Sequence, residues 1–100
     1  MHTTDKYILD GKTPVPIYDL HKWVKWCQKN SRIVKRTKLL DVLVSTVFLG
    51  MDHQFGQGEP ILFETMIFGG DHDEFQERYS TWEQAEAGHE AAVKKVKKSK

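Results

Sequence analysis

The sequence predicts an α+β domain in which a mostly antiparallel sheet of four to five strands packs with two helices. Two runs rich in β-branched and aromatic residues, VLVSTVFLG and ILFETMIFG, are typical of strands. Two other segments, LHKWVKWCQKN and TWEQAEAGHEAAV, carry apolar residues at helical spacing. The connections between these elements are short, which favours antiparallel neighbours. The order expected along the chain is β-α-β-β-β-β-α.

The chain is expected to open with one brief strand followed by a connector. Tyr7 to Leu9 is β-prone and ends at the turn pair Asp10-Gly11. In the next segment, TPVPIYD, Pro14 and Pro16 cannot donate backbone hydrogen bonds. We therefore expect this segment to be extended and unpaired.

The first helix is predicted between two polar residues. Asp19 is a good N-cap, and Asn30 is expected to end the helix. Trp26 lies off the apolar stripe, either as a flank of the core or as an exposed aromatic side chain available to a partner. The stripe, expected to form the buried face, comprises Leu20, Trp23, Val24 and Cys27.

A strand is predicted from Arg32 to Leu40, with a turn near Lys38 to Asp41. The two strands that follow are apolar on both faces. Such strands occupy the middle of a covered sheet, or a sheet whose outer face meets another subunit. A homodimer is therefore one expectation, and FQERYS is expected to be a half-exposed hairpin partner.

The last helix is expected to begin at a capping box formed by Ser80 and Glu83. Its apolar stripe is interrupted only by His89, which is more often a hydrogen-bonded core residue than a catalytic one. Gly88 lowers the helix propensity, and a close approach of the helix to the sheet would explain it.

Composition indicates a single domain over residues 1–100, with a lysine-rich tail or helix end at 94–100. Fifteen Lys and Arg against fourteen Asp and Glu give a net charge of +1, which argues against a surface built wholly to hold nucleic acid. The lysine-rich end leaves direct nucleic-acid contact open. The single Cys27 fits a reducing compartment, and no membrane-spanning run or signal-like start is visible, so we expect a cytoplasmic protein.

The glycine-rich loop before the second central strand is the best candidate for a site. GMDHQFGQGEP carries Asp52, His53 and Phe55 beside Gly56 and Gly58. Exposed amides in such a loop bind anions, but the GK[ST] and GxGxxG motifs are absent, and a strand rather than a helix follows. A tight irregular turn is the simpler explanation of the glycines.

A second acidic turn, formed by Asp71, His72 and Asp73, lies at the other end of the strand from His53. The two turns cannot share one metal ion within a subunit, because a strand separates them. The HExxH spacing and any dense cysteine and histidine cluster are absent as well. We therefore predict solvated turn residues, with no metal and no cofactor.

Glu64 lies among apolar neighbours on a central strand, so its carboxylate is expected to be at least partly buried. A buried carboxylate is paired or has a raised pKa. A structural ion pair with Arg32, Arg36, Arg78 or a lysine is favoured over a general base or ligand acceptor in a pocket. No catalytic residue is predicted.

The phrases YxLDGxTPVP and DLxxW, the run VSTVFLGMDHQFGQGEPILFETMIFGG, and RYSTWEQAEAGHEAAV resemble a group of small uncharacterised proteins encoded by tailed phages and prophages. The resemblance covers nearly the entire chain and implies a viral protein that works in the host cytoplasm. It implies no established activity and no functional residues. Small phage accessory proteins without catalytic motifs often bind host enzymes, defence complexes or a signalling nucleotide stoichiometrically.

The leading hypothesis is a non-enzymatic binding protein that inhibits a host protein or a defence complex such as a CRISPR effector. A homodimer is the expected form of this protein. Trp26, Phe55 and the two acidic turns would form its contact surface. The alternative is sequestration of a nucleotide signal by the loop from Gly56 to Gly58, His53 and arginines. A small metal-dependent enzyme using His53 or Glu64 ranks lowest, because no nucleophile is paired with a base.

Overall fold

The computed structural model describes residues 4–54 and 58–99 and has an α+β fold. A two-stranded and a four-stranded sheet, both antiparallel, are combined with two helices. The predicted fold class is confirmed, and one strand is added to the predicted order. The elements are β1 (Tyr7–Asp10), β2 (Thr13–Pro16), α1 (Leu20–Lys29), β3 (Ile33–Leu39), β4 (Val42–Phe48), β5 (Phe63–Phe68), β6 (Gln76–Tyr79) and α2 (Trp82–Lys98).

The additional strand, β2, shows that the expectation of an unpaired connector was wrong. Both Pro14 and Pro16 lie in the register that pairs β2 with β1. Ile17, which follows β2, donates its backbone N–H to the Lys6 carbonyl (3.0 Å). The odd-numbered residues of β2 therefore direct their N–H groups toward β1 as well. The two prolines consequently place their nitrogens at the outer edge of the hairpin, where proline removes no ladder hydrogen bond.

Both predicted ends of α1 are confirmed. The Asp19 carboxylate accepts a hydrogen bond from the backbone N–H of Lys22 (3.2 Å), which satisfies one of the unpaired amides at the helix start. At the other end, the backbone and side-chain N–H groups of Asn30 both donate to the Trp26 carbonyl (3.0 and 2.9 Å).

The apolar stripe of α1, in contrast, is not buried. No residue of this fully described helix is buried, and Leu20 is 56% exposed and Val24 39%. The reason is the position of the helix, which packs mainly on β1 beyond the end of the four-stranded sheet. Trp23 anchors it there by donating its indole N–H to the Gly50 carbonyl (3.1 Å).

The four-stranded sheet has the order β3-β4-β5-β6, so the two strands predicted to be central are central. The turn between β3 and β4 is Leu40-Asp41, within the predicted span, and Leu40 has a φ of +56°. Helix α2 packs across all four strands on one face of the sheet. The core between them comprises Val42, Val44, Phe48, Leu62, Phe63, Ile67, Ala85, Ala92, Val93 and Val96.

The start of α2 differs by one residue from the prediction. Thr81, not Ser80, is the N-cap: its hydroxyl accepts from the Gln84 backbone N–H (3.0 Å), while the Gln84 side chain accepts from the Thr81 N–H (3.2 Å). The spacing of a capping box also fits this pair. The backbone conformation selects Thr81 and Gln84 over Ser80 and Glu83, because the helix begins at Trp82 and the residue before it is extended.

His89 is the hydrogen-bonded core residue that its place on the apolar stripe predicts. It is 0% exposed, with Nδ1 2.7 Å from Thr46 Oγ1 and Nε2 2.8 Å from Thr37 Oγ1. Thr46 Oγ1 also lies 2.5 Å from Thr65 Oγ1, which extends the polar chain through the core. Burial of the ring lowers the pKa of His89 below its ordinary value.

Neither of the two helices is long and apolar enough to cross a membrane, as judged on the residues that the structure describes.

Candidate functional site

The carboxylate of Asp52 bonds to the backbone of the loop in which the sequence placed a site. Its Oδ1 accepts hydrogen bonds from the N–H groups of Gln54 (2.8 Å) and Ile61 (2.9 Å). His53 is exposed, and its backbone N–H donates to the Ile61 carbonyl (3.0 Å). Asp52 thus joins the two sides of the loop, as aspartate does in turns.

The other members of the predicted loop site are Phe55, Gly56 and Gly58. Phe55 and Gly56 lie outside the described residues. Gly58 is exposed and has a φ of +139°, a conformation that favours glycine. The backbone geometry at Gly58 is therefore sufficient to explain this glycine.

The second acidic turn is separated from the first by the length of β5, roughly 17 Å at ~3.3 Å per residue. Asp73 Oδ1 accepts from the backbone N–H of Gly69 (2.7 Å), and His72 Nε2 lies 2.6 Å from Ser99 Oγ, while Asp71 is exposed. The two turns therefore lie at opposite ends of β5. Over residues 4–54 and 58–99, no group of three histidine, cysteine or acidic side chains is arranged to hold a metal ion.

Glu64 forms the structural ion pair that was one of its two predicted roles. The residue is 9% exposed, and its Oε2 accepts from Arg78 Nε (2.9 Å) and from the Gln76 side-chain amide. Both donors come from β6, which pairs with β5 at this point. The Glu64 carboxylate is therefore hydrogen-bonded by Arg78 and Gln76.

Trp26 lies at the flank of the core. Its ring packs edge-on against Phe48, with 5.8 Å between ring centroids, and the residue is half-buried. The aromatic side chain thus fastens α1 to the end of β4, which leaves only part of it available to a partner.

The sheet face opposite α2 is not covered by either helix. Alternate residues of β4, such as Val44 and Phe48, point to α2, so the residues between them point away. We call this surface the open face. Three rows of paired residues form it: Lys38, Leu43 and Phe68; Arg36, Ser45, Met66 and Gln76; and Ile33, Val47, Glu64 and Arg78.

The centre of the open face is apolar and concave. Phe68 is 45% exposed and Ile33 42%, although both are large hydrophobic residues. Phe68 lines a depression of about 250 Å³, and buried Ser45 and Glu64 also line it. Its lining comprises Arg36, Leu43, Ser45, Val47, Glu64, Met66 and Phe68.

A groove of about 450 Å³ adjoins this depression at the end of α1. Arg36 and Val47 line both, so the depression and the groove are neighbours that share these two side chains. The remaining lining of the groove comes from the end of α1, the start of β3 and the end of β4: Cys27, Asn30, Ser31, Arg32, Ile33, Phe48 and Leu49.

The open face and the groove are more basic than the chain as a whole. Their charged residues are four basic side chains (Arg32, Arg36, Lys38 and Arg78) and one carboxylate (Glu64), a net charge of +3 against +1 for the chain. Glu64 is bound to Arg78. Among the described residues, Arg32, Arg36 and Lys38 have no carboxylate partner. These three cations are therefore available to an external anion.

The sequence contained one signal for this surface, the apolar residues on both faces of β4 and β5. It did not show which face the helices cover, and it predicted Arg32 and Arg36 only as partners of Glu64 or of a nucleotide. Comparisons of the chain with protein-family models, curated proteins and solved structures found no match. Function is therefore inferred from the geometry and charge of the open face.

Proposed function

We propose that this protein acts by binding a protein partner through the open face, without catalysing a reaction. The observation that carries the proposal is the exposure of Phe68 in the depression and of Ile33 in the adjoining groove, beside cations that have no carboxylate partner among the described residues. Contiguous apolar surface with a polar rim is characteristic of protein interaction sites.

The residue types of the open face support a protein interface. Phe68, Met66 and Arg36 belong to the classes that are enriched at such interfaces. Leu43 and Val47 add aliphatic surface between them. A partner that covered these side chains would remove apolar area from water, which is the main driving force of association.

The titratable groups near the site argue for binding rather than catalysis. Glu64 is hydrogen-bonded to Arg78, and His89 is enclosed in the core between α2 and the sheet. General acid–base chemistry needs a group within reach of a bound substrate. His89 does not meet that condition, and Glu64, which lines the depression, is hydrogen-bonded to Arg78 and Gln76.

The partner that we propose is a host protein or a defence complex, whose activity the bound protein would block. This choice rests on the resemblance to phage-encoded accessory proteins, which act in the host cytoplasm. A CRISPR effector is one example of such a complex. The open face replaces the acidic turns as the proposed contact surface, because Asp52 and Asp73 are bonded within their own turns.

Affinity capture from lysate of phage-infected host cells tests the proposal. The bait proteins would be the wild type, Phe68→Glu on the open face, and Leu20→Glu as the matched control. Leu20 is 56% exposed in the first turn of α1, where the helix macrodipole favours an acidic side chain, so the control should fold. Circular dichroism would verify that all three are folded.

The expected result is a stoichiometric partner that the wild type and Leu20→Glu retain and Phe68→Glu loses. Retention by Phe68→Glu would exclude the open face as the contact surface. Recovery of a bound nucleotide without a protein would instead support the sequestration hypothesis.

A further inference from the structure

We propose that the segment recognised by the open face is acidic and apolar, with a hydrophobic side chain in the depression and flanking carboxylates on Arg36 and Arg32. This inference rests on the proposed function and specifies the chemistry of the partner. It concerns a segment of another protein, not a free anion.

The charge of the surface favours an acidic partner. The open face and groove carry a net charge of +3, and the only carboxylate among their described residues is already bound to Arg78. Arginine binds carboxylates through two parallel hydrogen bonds and is weakly hydrated, so it is well suited to ion pairs at an interface. An acidic segment would supply the partner that Arg36 lacks within the described chain.

The position of Arg36 connects the apolar and the basic parts of the surface. It lines the depression that contains Met66 and Phe68, and it also lines the groove that contains Arg32. An apolar side chain and a carboxylate that are near neighbours on one segment can therefore occupy both at once. This arrangement selects for the combination of the two groups, which neither a neutral apolar segment nor a small anion offers.

A second copy of the chain fits the same surface less well. If two open faces packed against each other, two surfaces of net charge +3 would meet, and their one carboxylate, Glu64, is already paired with Arg78. Like charges placed together at an interface oppose association. We therefore assign the open face to an acidic segment of a different protein.

Titrations with defined peptides, followed by NMR, test this inference. The probes are the blocked peptides ELEFELE, QLQFQLQ and KLKFKLK, together with inorganic phosphate and ATP. The signals are the side-chain N–H groups of Arg32 and Arg36 and the methyl groups of Leu43, Val47 and Met66. The variants are R32Q/R36Q and, as a control that removes the same charge from α2, K94Q/K98Q.

The expected result is that ELEFELE shifts both sets of signals and binds at least tenfold more tightly than QLQFQLQ. R32Q/R36Q should remove this difference, and K94Q/K98Q should retain it. Phosphate should shift the arginine signals without the methyl signals.

Equal binding of ELEFELE and QLQFQLQ, with loss of both in Phe68→Glu, would overturn the acidic assignment and leave the proposed function intact. Tighter binding of phosphate or ATP than of ELEFELE would assign the groove to a free phosphate ligand. Methyl shifts that depend on protein concentration alone would assign the face to a second copy. If no peptide shifts any methyl signal and Phe68→Glu still captures the partner, both proposals fail.

Discussion

A Cβ atom built on Gly88 would lie 2.0 Å from the hydroxyl oxygen of Tyr79. The helix thus approaches β6 so closely that only glycine fits, as the sequence predicted for a glycine within α2. This close approach lies on the sheet face opposite the open face, where α2 packs.

Gly88→Ala should destabilise the protein by about 1–3 kcal/mol, because the methyl group would displace a half-buried tyrosine ring. The better helix propensity of alanine, worth ~1 kcal/mol, would offset only part of this loss. In a Tyr79→Leu background the same substitution should become stabilising. Urea unfolding of the four proteins measures both effects, and a stabilising Gly88→Ala in the wild type would contradict the close contact.

His89 should make the stability depend on pH in the mildly acidic range. Its folded pKa is lowered by burial, so the unfolded chain binds a proton more readily than the folded chain does. The contribution is fully present above the unfolded pKa of about 6.5 and is lost as the pH falls below it. Exposed Glu90 and Lys35 lie near the ring and oppose each other in their effects on it.

Urea midpoints measured between pH 5 and 8 check this dependence. The wild type should lose stability below about pH 6.5, and His89→Gln should lose the part of that slope that comes from the imidazole. Identical slopes in the two proteins would show that His89 titrates normally.

Arg78→Ala should destabilise the protein by about 1–2 kcal/mol, because the mostly buried Glu64 carboxylate would lose a charged hydrogen-bond donor. Adding Glu64→Gln should restore most of the loss, since the uncompensated charge is then removed. The exposed pair of Lys35 and Glu90 is the matched control, and Lys35→Gln should leave the free energy of unfolding unchanged within error. Equal effects at the two pairs would contradict the burial argument.

Leu40→Asn should stabilise the protein by about 0.5–1 kcal/mol, because a leucine at positive φ is strained and asparagine tolerates that conformation. Leu40 is 80% exposed, so its side chain contributes little packing that the substitution would remove. Thermal unfolding measures the change. A loss of stability would show that the leucine packs against the hairpin.

Local sequence patterns predicted those elements whose signals lie within a few residues of one another along the chain. β4 and β5 were identified from β-branched and aromatic runs, and Asp19 and Asn30 from their places beside an amphipathic segment. The sequence did not predict the pairing of β2, because proline lacks the backbone N–H that a paired strand normally donates. Whether the proline nitrogen points toward the neighbouring strand or toward the outer edge of the hairpin depends on the register with β1.

For the candidate site, too, the sequence predicted some features and the tertiary structure specified the others. The sequence predicted a paired Glu64, but its partner Arg78 is specified by the register between β5 and β6. The sequence also suggested one buried face for α1, and Leu20 and Val24 on that face are exposed because the helix lies beyond the end of the sheet.

By itself the sequence determined the α+β class, the central strands and the buried histidine, because hydrophobic periodicity and capping act over short distances along the chain. Only the tertiary structure decided that one face of an apolar sheet stays open and that Arg36 and Phe68 border the same depression. Such neighbours come from different strands, and their proximity follows from strand register and from the single face on which α2 packs.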